Sequence, residues 1–310
     1  MSDLLDLLVT ATASGCIYGL VALAYLLMIR PTGIINFAVG EWATVGAFIA
    51  MAALTGYALV LWLPFVGVFR LPLPELPYAV VVPLTALLMF GIGWLTERVA
   101  VRPLVEKGAP IIAPILALLA MLVIFRELIG LEFGADQHRV PYPVGFRRIE
   151  VGPFAGSPHN FFIIAATLAV FAAAWFFFER TVWGRIFEAV AINRRAAALM
   201  GINLARVTAF AFAGGGACAG LAGLLIAPAV SAHWLMGLPL AIQGFSALVV
   251  GGVGRVEGAL LGGLILALAE QLTQRYAPIP SGFAAGVPLL LLIVFLMLRP
   301  TGLLKAREAR

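Results

Sequence analysis

The sequence predicts an all-α fold, a polytopic transmembrane helix bundle of about eight or nine spans that include broken or re-entrant segments. Of the 310 residues, 63% are hydrophobic and only 11% are charged, whereas soluble domains carry about 25% charged residues. So few charges cannot cover the wetted surface that a globular domain of this length needs. Long apolar runs also recur along the chain, and about 20 such residues in a helix cross the roughly 30 Å of membrane hydrocarbon.

The apolar runs follow one another along the chain, so we treat residues 1–310 as a single transmembrane domain. The candidate spans are 7–29, 36–56, 77–97, 110–130, 160–178, 206–227, 235–253, 257–275 and 283–298. The first run lacks the positively charged start of a secretory signal, and we expect it to be a retained helix. Proline and glycine residues interrupt 235–253, which either crosses the membrane or enters it as a half-helix. The short run 58–69 is a candidate interfacial helix.

Arginine and lysine residues indicate the orientation of the spans. If the N-terminus lies outside and nine spans alternate, fourteen of the 20 basic residues fall on the inner side. These are Arg30, Arg98, Arg102, Lys107, Arg180, Arg185, Arg194, Arg195, Arg206, Arg255, Arg299, Lys305, Arg307 and Arg310. The six on the outer side are Arg70, Arg126, Arg139, Arg147, Arg148 and Arg275. Because basic loops are retained in the cytoplasm, the distribution favours an outer N-terminus and a cytoplasmic C-terminus. The arginines are scattered between apolar runs, so the net charge of +5 predicts no nucleic-acid partner.

Three pairs of glycines are spaced as G-x-x-x-G within the candidate spans. They are Gly15 and Gly19, Gly216 and Gly220, and Gly258 and Gly262. In lipid, small residues let helix backbones approach closely enough for packing to hold them together. The pairs predict helix contacts inside one bundle, with a subunit interface as the alternative.

The two long loops lie on opposite sides of the membrane in this orientation. Residues 131–160 form a periplasmic loop with several charges and prolines, which is either a contact for a soluble binding protein or an ordinary wetted connection. Residues 179–205 form a cytoplasmic loop. Between Arg185 and Met200 this loop is rich in helix formers, with Gly184 at the start and Gly201 in the position of a C-terminal cap. It predicts one amphipathic helix, which either floats among lipid headgroups or fits a socket on a cytoplasmic protein.

Three blocks of sequence carry a resemblance to a known family. They are Ile34-Ile35-Asn36-Phe37-Ala38-Val39-Gly40-Glu41, the loop from Gly184 to Asn203, and Gly251-Gly252-Val253-Gly254-Arg255-Val256-Glu257-Gly258-Ala259. In their order and spacing they resemble the permeases of branched-chain amino-acid ABC importers, specifically the LivH class. One departure is Val39, which stands where the family often has histidine, so a polar role for that position is not carried over.

The resemblance implies a set of partners and a docking segment. A second permease subunit, identical or different, would pair with this chain in the bacterial inner membrane, with two cytoplasmic ATPase subunits and a periplasmic solute-binding protein. The helix in 179–205 would couple the ATPase to the membrane domain. Its candidate residues are Arg185, Glu188, Ala189, Asn193, Arg194 and Gly201. The chain has no G-x-x-x-x-G-K-[S/T] motif, so ATP would be bound by the partner subunits and no cofactor is expected on this chain.

Polar residues at the start of the second span are candidates for the translocation path. Asn36 and Glu41 lie at or just inside the span, where a carboxylate costs at least about 2.5 kcal/mol near the membrane centre. Asn36 either caps the helix with Glu41 near its positive end, or both residues line the path at a helix break beside Gly40. Gly252 and Gly254 predict a second break, a tight turn between membrane segments.

The favoured function is therefore the permease of an ATP-driven importer of branched-chain amino acids or related small polar solutes, including urea or short amides. An ion-gradient-driven secondary transporter is the alternative, with Glu41 or Glu270 carrying the coupling ion, although we expect Glu270 to reach the membrane interface. An enzyme is disfavoured, because the sequence offers no nucleophile–base set and its histidines have no metal-ligand spacing. We predict neither catalytic nor metal-binding residues.

Overall fold

The computed structural model describes residues 2–57, 59–63, 67–71, 74–143, 149–151, 154–276, 286–299 and 302–304. Some residues that enter the charge count lie outside these ranges, namely Arg147, Arg148 and the basic stretch 305–310.

Helices make up most of the described chain. They are α1 Ser2–Thr32, α2 Val39–Thr55, α3 Tyr78–Thr96, α4 Arg102–Glu106, α5 Ile112–Phe133, α6 Pro158–Arg180, α7 Val182–Ile192, α8 Arg194–Leu199, α9 Leu204–Val230, α10 Gly237–Gly251, α11 Val256–Tyr276 and α12 Val287–Leu298. A π-helical turn at Glu97–Val101 joins α3 to α4. Two short antiparallel hairpins lie in the connections, β1 Leu59–Leu63 with β2 Gly67–Leu71 and β3 Ile149–Val151 with β4 Phe154–Gly156. Leu59 pairs with Leu71 in the first, and Ile149 with Gly156 in the second.

Every candidate span coincides with a helix, so the predicted helical membrane bundle is confirmed. Within the described ranges, six helical stretches are long and apolar enough to cross a membrane: α1, α3 with α4, α5, α6, α9 and α11. The other three apolar helices are shorter. At about 1.5 Å per residue, the 17 residues of α2 span roughly 25 Å and the 15 of α10 roughly 22 Å. Both fall short of the roughly 30 Å of hydrocarbon.

Helices α1 and α9 form the centre of the bundle. Helix α1 packs against α9, α10 and α11, while α9 also packs against α2 and α3. Most of the central part of both helices is buried, whereas only 17% of the central part of α5 and of α6 is buried. Trp42 of α2 meets Phe212 of α9 edge to face, with ring centroids 6.3 Å apart, and both side chains are fully buried.

The G-x-x-x-G pairs lie at helix contacts within this chain, as predicted. A Cβ atom at Gly15 would come 2.7 Å from the backbone of α11, one at Gly216 would come 2.3 Å from that of α3, and one at Gly262 would come 1.9 Å from that of α10. Only a residue without a side chain permits such approaches.

Two local predictions were wrong. The described part of the run 58–69 forms strands β1 and β2, not an interfacial helix. Glu270 does not reach an interface but is 6% exposed, because it packs between α11 and α1. The Tyr18 hydroxyl donates a hydrogen bond of 2.8 Å to Glu270 Oε2, and Gln274 Nε2 donates one of 3.5 Å to its Oε1. These donors satisfy the carboxylate inside the bundle.

The end of α10 is capped by a distant segment. The backbone N–H of Leu303 donates to the carbonyl of Val250 at 2.9 Å, and that of Leu304 donates to the carbonyl of Gly251 at 3.1 Å. The last carbonyls of a helix have no partner within it, so these two bonds satisfy groups that α10 cannot.

Candidate functional site

The turn between α1 and α2 is a partly buried, hydrogen-bonded unit. The Thr32 hydroxyl donates to the carbonyl of Met28 at 2.5 Å and accepts the N–H of Ile34 at 3.0 Å, and so bridges Gly33. Asn36 is 0% exposed, and its Oδ1 accepts the N–H of Ala38 at 2.9 Å. Asn36 is therefore not the N-cap residue of α2, as one alternative had it. Its side chain closes the turn just before the helix, as asparagine does in an Asx-turn.

Glu41 lies in the first turn of α2 and is 1% exposed. Its negative charge is near the positive end of the helix dipole, and the guanidinium of Arg126 on α5 attracts it across the helix contact. The guanidinium of Arg126 also lies over the ring of Trp234, 5.4 Å from its centroid. Among the described atoms, Glu41 Oε2 has no hydrogen-bond partner. Burying a carboxylate oxygen without a hydrogen-bond partner costs free energy. Carboxylates inside membrane spans therefore usually face a cavity or a partner and mark functional sites.

The first turns of the two short helices α2 and α10 meet. A Cβ atom at Gly40 would lie 2.1 Å from the carbonyl oxygen of Gly237, and one at Gly237 would lie 2.7 Å from the Thr44 hydroxyl. Two helix N-termini, whose first N–H groups have no partner within their own helix, therefore come together beside Glu41. Such meeting points of short helices are where transporters of polar solutes expose backbone groups.

An apolar cavity of about 370 Å³ lies along the same face of α2 as Glu41. Val45, Phe48 and Ile49 contribute to its wall and follow Glu41 at helical spacings of four, seven and eight residues. The remaining walls come from α3, α5 and the segment before α3. They are Pro74, Leu76, Leu84, Leu88, Ile129 and Phe133, while Ala52 and Ala53 belong to α2 itself. Glu41 and the mainly apolar cavity thus lie along one face of α2.

The predicted helix from Arg185 to Met200 is in fact two helices, α7 and α8. The Thr181 hydroxyl accepts the N–H of Gly184 at 3.1 Å and caps α7, and Asn193 Oδ1 accepts the N–H of Ala196 at 3.0 Å and caps α8. Asn193 is extended, with φ of −150° and ψ of 98°, so the chain bends there. Asparagine competes with helix continuation because its side chain bonds the backbone ahead. Gly201 has φ of +83°, as the predicted C-terminal cap requires.

The apolar face of α7 and α8 packs against the bundle instead of floating among lipid headgroups. Phe187, Val190 and Ala197 form a small core with Val207 and Ala211 of α9. The side chains of the other face are exposed. They include Arg185, Glu188, Ala189, Ile192 at 64%, Leu199 at 90% and Met200 at 83%. We call the exposed side chains of residues 182–200 the α7–α8 surface.

Two arginines connect this segment to the end of α1. Arg194 Nη1 donates to the carbonyl of Pro31 at 3.3 Å, and partial burial lowers the pKa of Arg194 from its ordinary value. Glu188 and Arg30 attract each other across a cavity of about 50 Å³. The guanidinium of Arg30 also lies 5.7 Å from the centroid of the Phe178 ring. Neither arginine contact follows from sequence spacing, because the partners are far apart along the chain.

Gly252 and Gly254 lie at the other end of α10 from Gly40. Gly254 borders the same small cavity as Arg30 and Glu188, while Gly40 meets the first residue of α10. The predicted path residues therefore form two groups separated by roughly the 22 Å length of that helix.

The described part of the loop 131–160 is tied to the bundle. The N–H of His138 donates to the carbonyl of Ala232 at 2.9 Å, and the N–H of Ala232 returns a bond of 2.8 Å. The His138 ring also packs edge to face against Phe48. In the described ranges no three His, Cys, Asp or Glu side chains stand close enough to share a metal ion.

Comparisons with known proteins give the family. The profile of the permease component of branched-chain amino acid transport systems matches residues 7–296. The high-affinity branched-chain amino acid transport system permease protein BraD of Pseudomonas aeruginosa is 29% identical over 310 residues, covering 98% of this chain and 96% of its own. LivH of Escherichia coli K12, a permease protein with the same description, is 31% identical over 313 residues, covering 95% and 93%.

A shorter match is found to a permease that is described as importing a different kind of solute. The ribose import permease protein RbsC of Haemophilus influenzae is 30% identical over 206 residues, covering 62% of this chain and 59% of its own. No solved structure matches the chain. A family profile that matches almost the whole sequence, together with a multi-pass helical bundle, places this chain in the family of branched-chain amino acid transport permeases.

Proposed function

We propose that this protein is the membrane-spanning permease of an ATP-driven importer for branched-chain amino acids or closely related small polar solutes. It works with a second permease subunit, two cytoplasmic ATPase subunits and a periplasmic binding protein that delivers the solute. ATP is bound by the partner subunits. The N-terminus lies outside and the C-terminus in the cytoplasm, which puts the α7–α8 surface on the cytoplasmic side.

The observation that carries this proposal is the α7–α8 surface. Leu199 and Met200 are almost fully exposed on a segment whose opposite face is anchored to α9. In the proposed orientation these adjacent side chains face water, where a contiguous exposed apolar patch marks a protein-interaction site. A rigid, anchored helix pair with an exposed apolar end suits docking to a cytoplasmic subunit.

The cargo assignment rests on the named relatives and on the α2 face. Relatives similar over nearly their whole length are described as branched-chain amino acid permeases. Asn36 in the turn and Gly40 and Glu41 in the first turn of α2 offer polar groups at the helix break, and an apolar cavity follows on the same face of α2 as Glu41. Polar groups followed by an apolar surface suit a solute with a charged head and a hydrocarbon side chain. We assign Gly252 and Gly254 to a second break on the same path.

The test is reconstitution of the complex in proteoliposomes with the binding protein and the ATPases. We expect Leu199→Ala combined with Met200→Ala to lower ATPase co-purification at least about tenfold, since burial of each side chain stabilises by about 1.5–3 kcal/mol. Tyr276→Ala is the matched control, because Tyr276 is also a large exposed side chain but lies at the far end of α11. Co-purification that is the same in both variants would remove the support for docking at this surface.

Two further variants test coupling in the same preparation. Glu188→Ala removes an exposed carboxylate of the α7–α8 surface, and Gly201→Val forces a side chain into a left-handed conformation. Both should reduce the ATPase activity that the loaded binding protein stimulates. Normal stimulation and normal uptake in both variants would contradict a coupling role for this segment.

The buried carboxylates Glu41 and Glu270 favour the second candidate, a secondary transporter driven by an ion gradient. ATP depletion and gradient collapse separate the two. Uptake that stops when ATP is depleted, yet continues after proton and sodium gradients are dissipated, supports the importer. The opposite pattern supports the secondary transporter.

A further inference from the structure

We propose that Arg194 and Arg30 link the α7–α8 surface to the end of α1, so that a docked ATPase moves the α1–α2 turn when it displaces that surface. This inference rests on the proposed function, because it needs an ATPase that docks. Both arginines are positioning residues, since they act on the path through the backbone of α1.

The first link is the hydrogen bond from Arg194 to Pro31. The last carbonyls of α1 have no partners within the helix, and Arg194 reaches that of Pro31 at 3.3 Å from α8, 163 residues away in sequence. A cation at the C-terminal end of a helix is also favoured by the helix dipole. Because Pro31 is buried and Arg194 is half-buried, water competes poorly for this bond.

The second link is the attraction between Arg30 and Glu188. Both side chains line the small charged cavity, and the ring of Phe178 from α6 lies beneath the Arg30 guanidinium. The other charged residues around this cavity are Glu179, Arg255 and Glu257. Arg255 and Glu257 form an ion pair of their own, with Nε and Oε2 3.3 Å apart. The charge of Glu188 on the exposed surface of α7 therefore attracts the last turn of α1 electrostatically.

Beyond Pro31 the chain has little freedom to absorb a displacement. The Thr32 hydroxyl bridges Met28 and Ile34 around Gly33, and Asn36 is fully buried and bonded to Ala38. The turn then leads straight into the first turn of α2, where Gly40 already touches α10. Packed, hydrogen-bonded segments shift as units and do not deform gradually. A movement of Pro31 is therefore passed to the residues around Glu41.

The experiment measures solute taken up per ATP hydrolysed in the reconstituted complex. We expect Arg194→Ala to lower this ratio about fivefold while ATPase co-purification stays within about twofold of the wild type. Arg206→Ala is the matched control, because Arg206 is an exposed arginine in the first turn of α9 and lies outside the α7–α8 surface. The control should keep the wild-type ratio. A ratio that is equal in the two variants would overturn the proposal.

Further variants separate a link from a general structural role. Arg194→Gln keeps an N–H donor for the Pro31 carbonyl without the charge, and we expect it to recover most of the ratio. For the second link, Arg30→Glu alone should uncouple, and Arg30→Glu combined with Glu188→Arg should recover. If Arg194→Ala and Arg194→Gln both lose ATPase co-purification, Arg194 belongs to docking or folding and the proposal is wrong. A wild-type complex without ATP-dependent uptake would instead contradict the proposed function itself.

Discussion

Replacing Gly223 by alanine adds one methyl group at the contact between α9 and α2. A Cβ atom at Gly223 would lie 1.8 Å from the carbonyl oxygen of Ala43 and 2.6 Å from its carbonyl carbon. Real Cβ atoms essentially never come within 3.0 Å of such atoms, so the two helices must separate by about 1.2 Å, the difference between 3.0 and 1.8 Å. The obstacle is backbone, which cannot change rotamer to make room.

That separation sets the expected size of the effect. A gap of 0.5–1 Å already removes about a quarter to a half of the dispersion energy between facing atoms, and overpacking a core typically destabilises by about 1–3 kcal/mol. We therefore expect Gly223→Ala to lower the Tm of the detergent-purified protein by several degrees. Loss of the monodisperse gel-filtration peak after heating measures it.

Gly91→Ala supplies the matched control. Gly91 also lies inside an apolar helix, but a Cβ atom there would meet nothing within 4 Å. Alanine is the better helix former by about 1 kcal/mol, so this variant should melt at the wild-type temperature or above it. If Gly223→Ala melts no lower than Gly91→Ala, the argument that backbone contact holds α2 on α9 is refuted.

Two other predictions concern buried polar groups, each measured by the same melting assay. Asn36→Leu leaves the N–H of Ala38 buried without its acceptor and should destabilise the folded protein by about 1–3 kcal/mol. A Tm equal to that of the wild type would show that the turn does not depend on this hydrogen bond. Tyr18→Phe removes the hydroxyl that donates to Glu270 and should destabilise by about the same amount. Adding Glu270→Gln to this variant should recover part of the lost stability, because it removes the buried charge. If the double variant melts no higher than Tyr18→Phe, the unpaired carboxylate does not cause the destabilisation.

Hydropathy and length locate the helices because both are local properties of the chain. The run 257–275 is observed as Val256–Tyr276, and the weak run 235–253 as Gly237–Gly251. The position of Gly201 after a helical segment likewise predicts its capping role, because a left-handed cap favours glycine there.

The sequence predicts less where competing local signals or distant contacts decide. The bend at Asn193 interrupts a run of good helix formers, and its only signal is that asparagine favours an N-cap over a helix interior. The attraction of Arg126 for Glu41 and the bond of Arg194 to Pro31 join residues far apart in sequence. The spacing of residues along one sequence does not predict such contacts. The transport roles of Glu41, Glu188 and the two glycine breaks stay predictions.

The cap on α10 bears on the order in which the molecule completes itself during synthesis. Leu303 and Leu304 donate to the carbonyls of Val250 and Gly251, yet they are synthesised only after α11 and α12. Until then the end of α10, and with it the glycine turn at Gly252, lacks two of the bonds that hold it. This corner of the bundle can therefore be completed only at the end of synthesis, and a nascent chain stalled before residue 302 should leave it open to proteases.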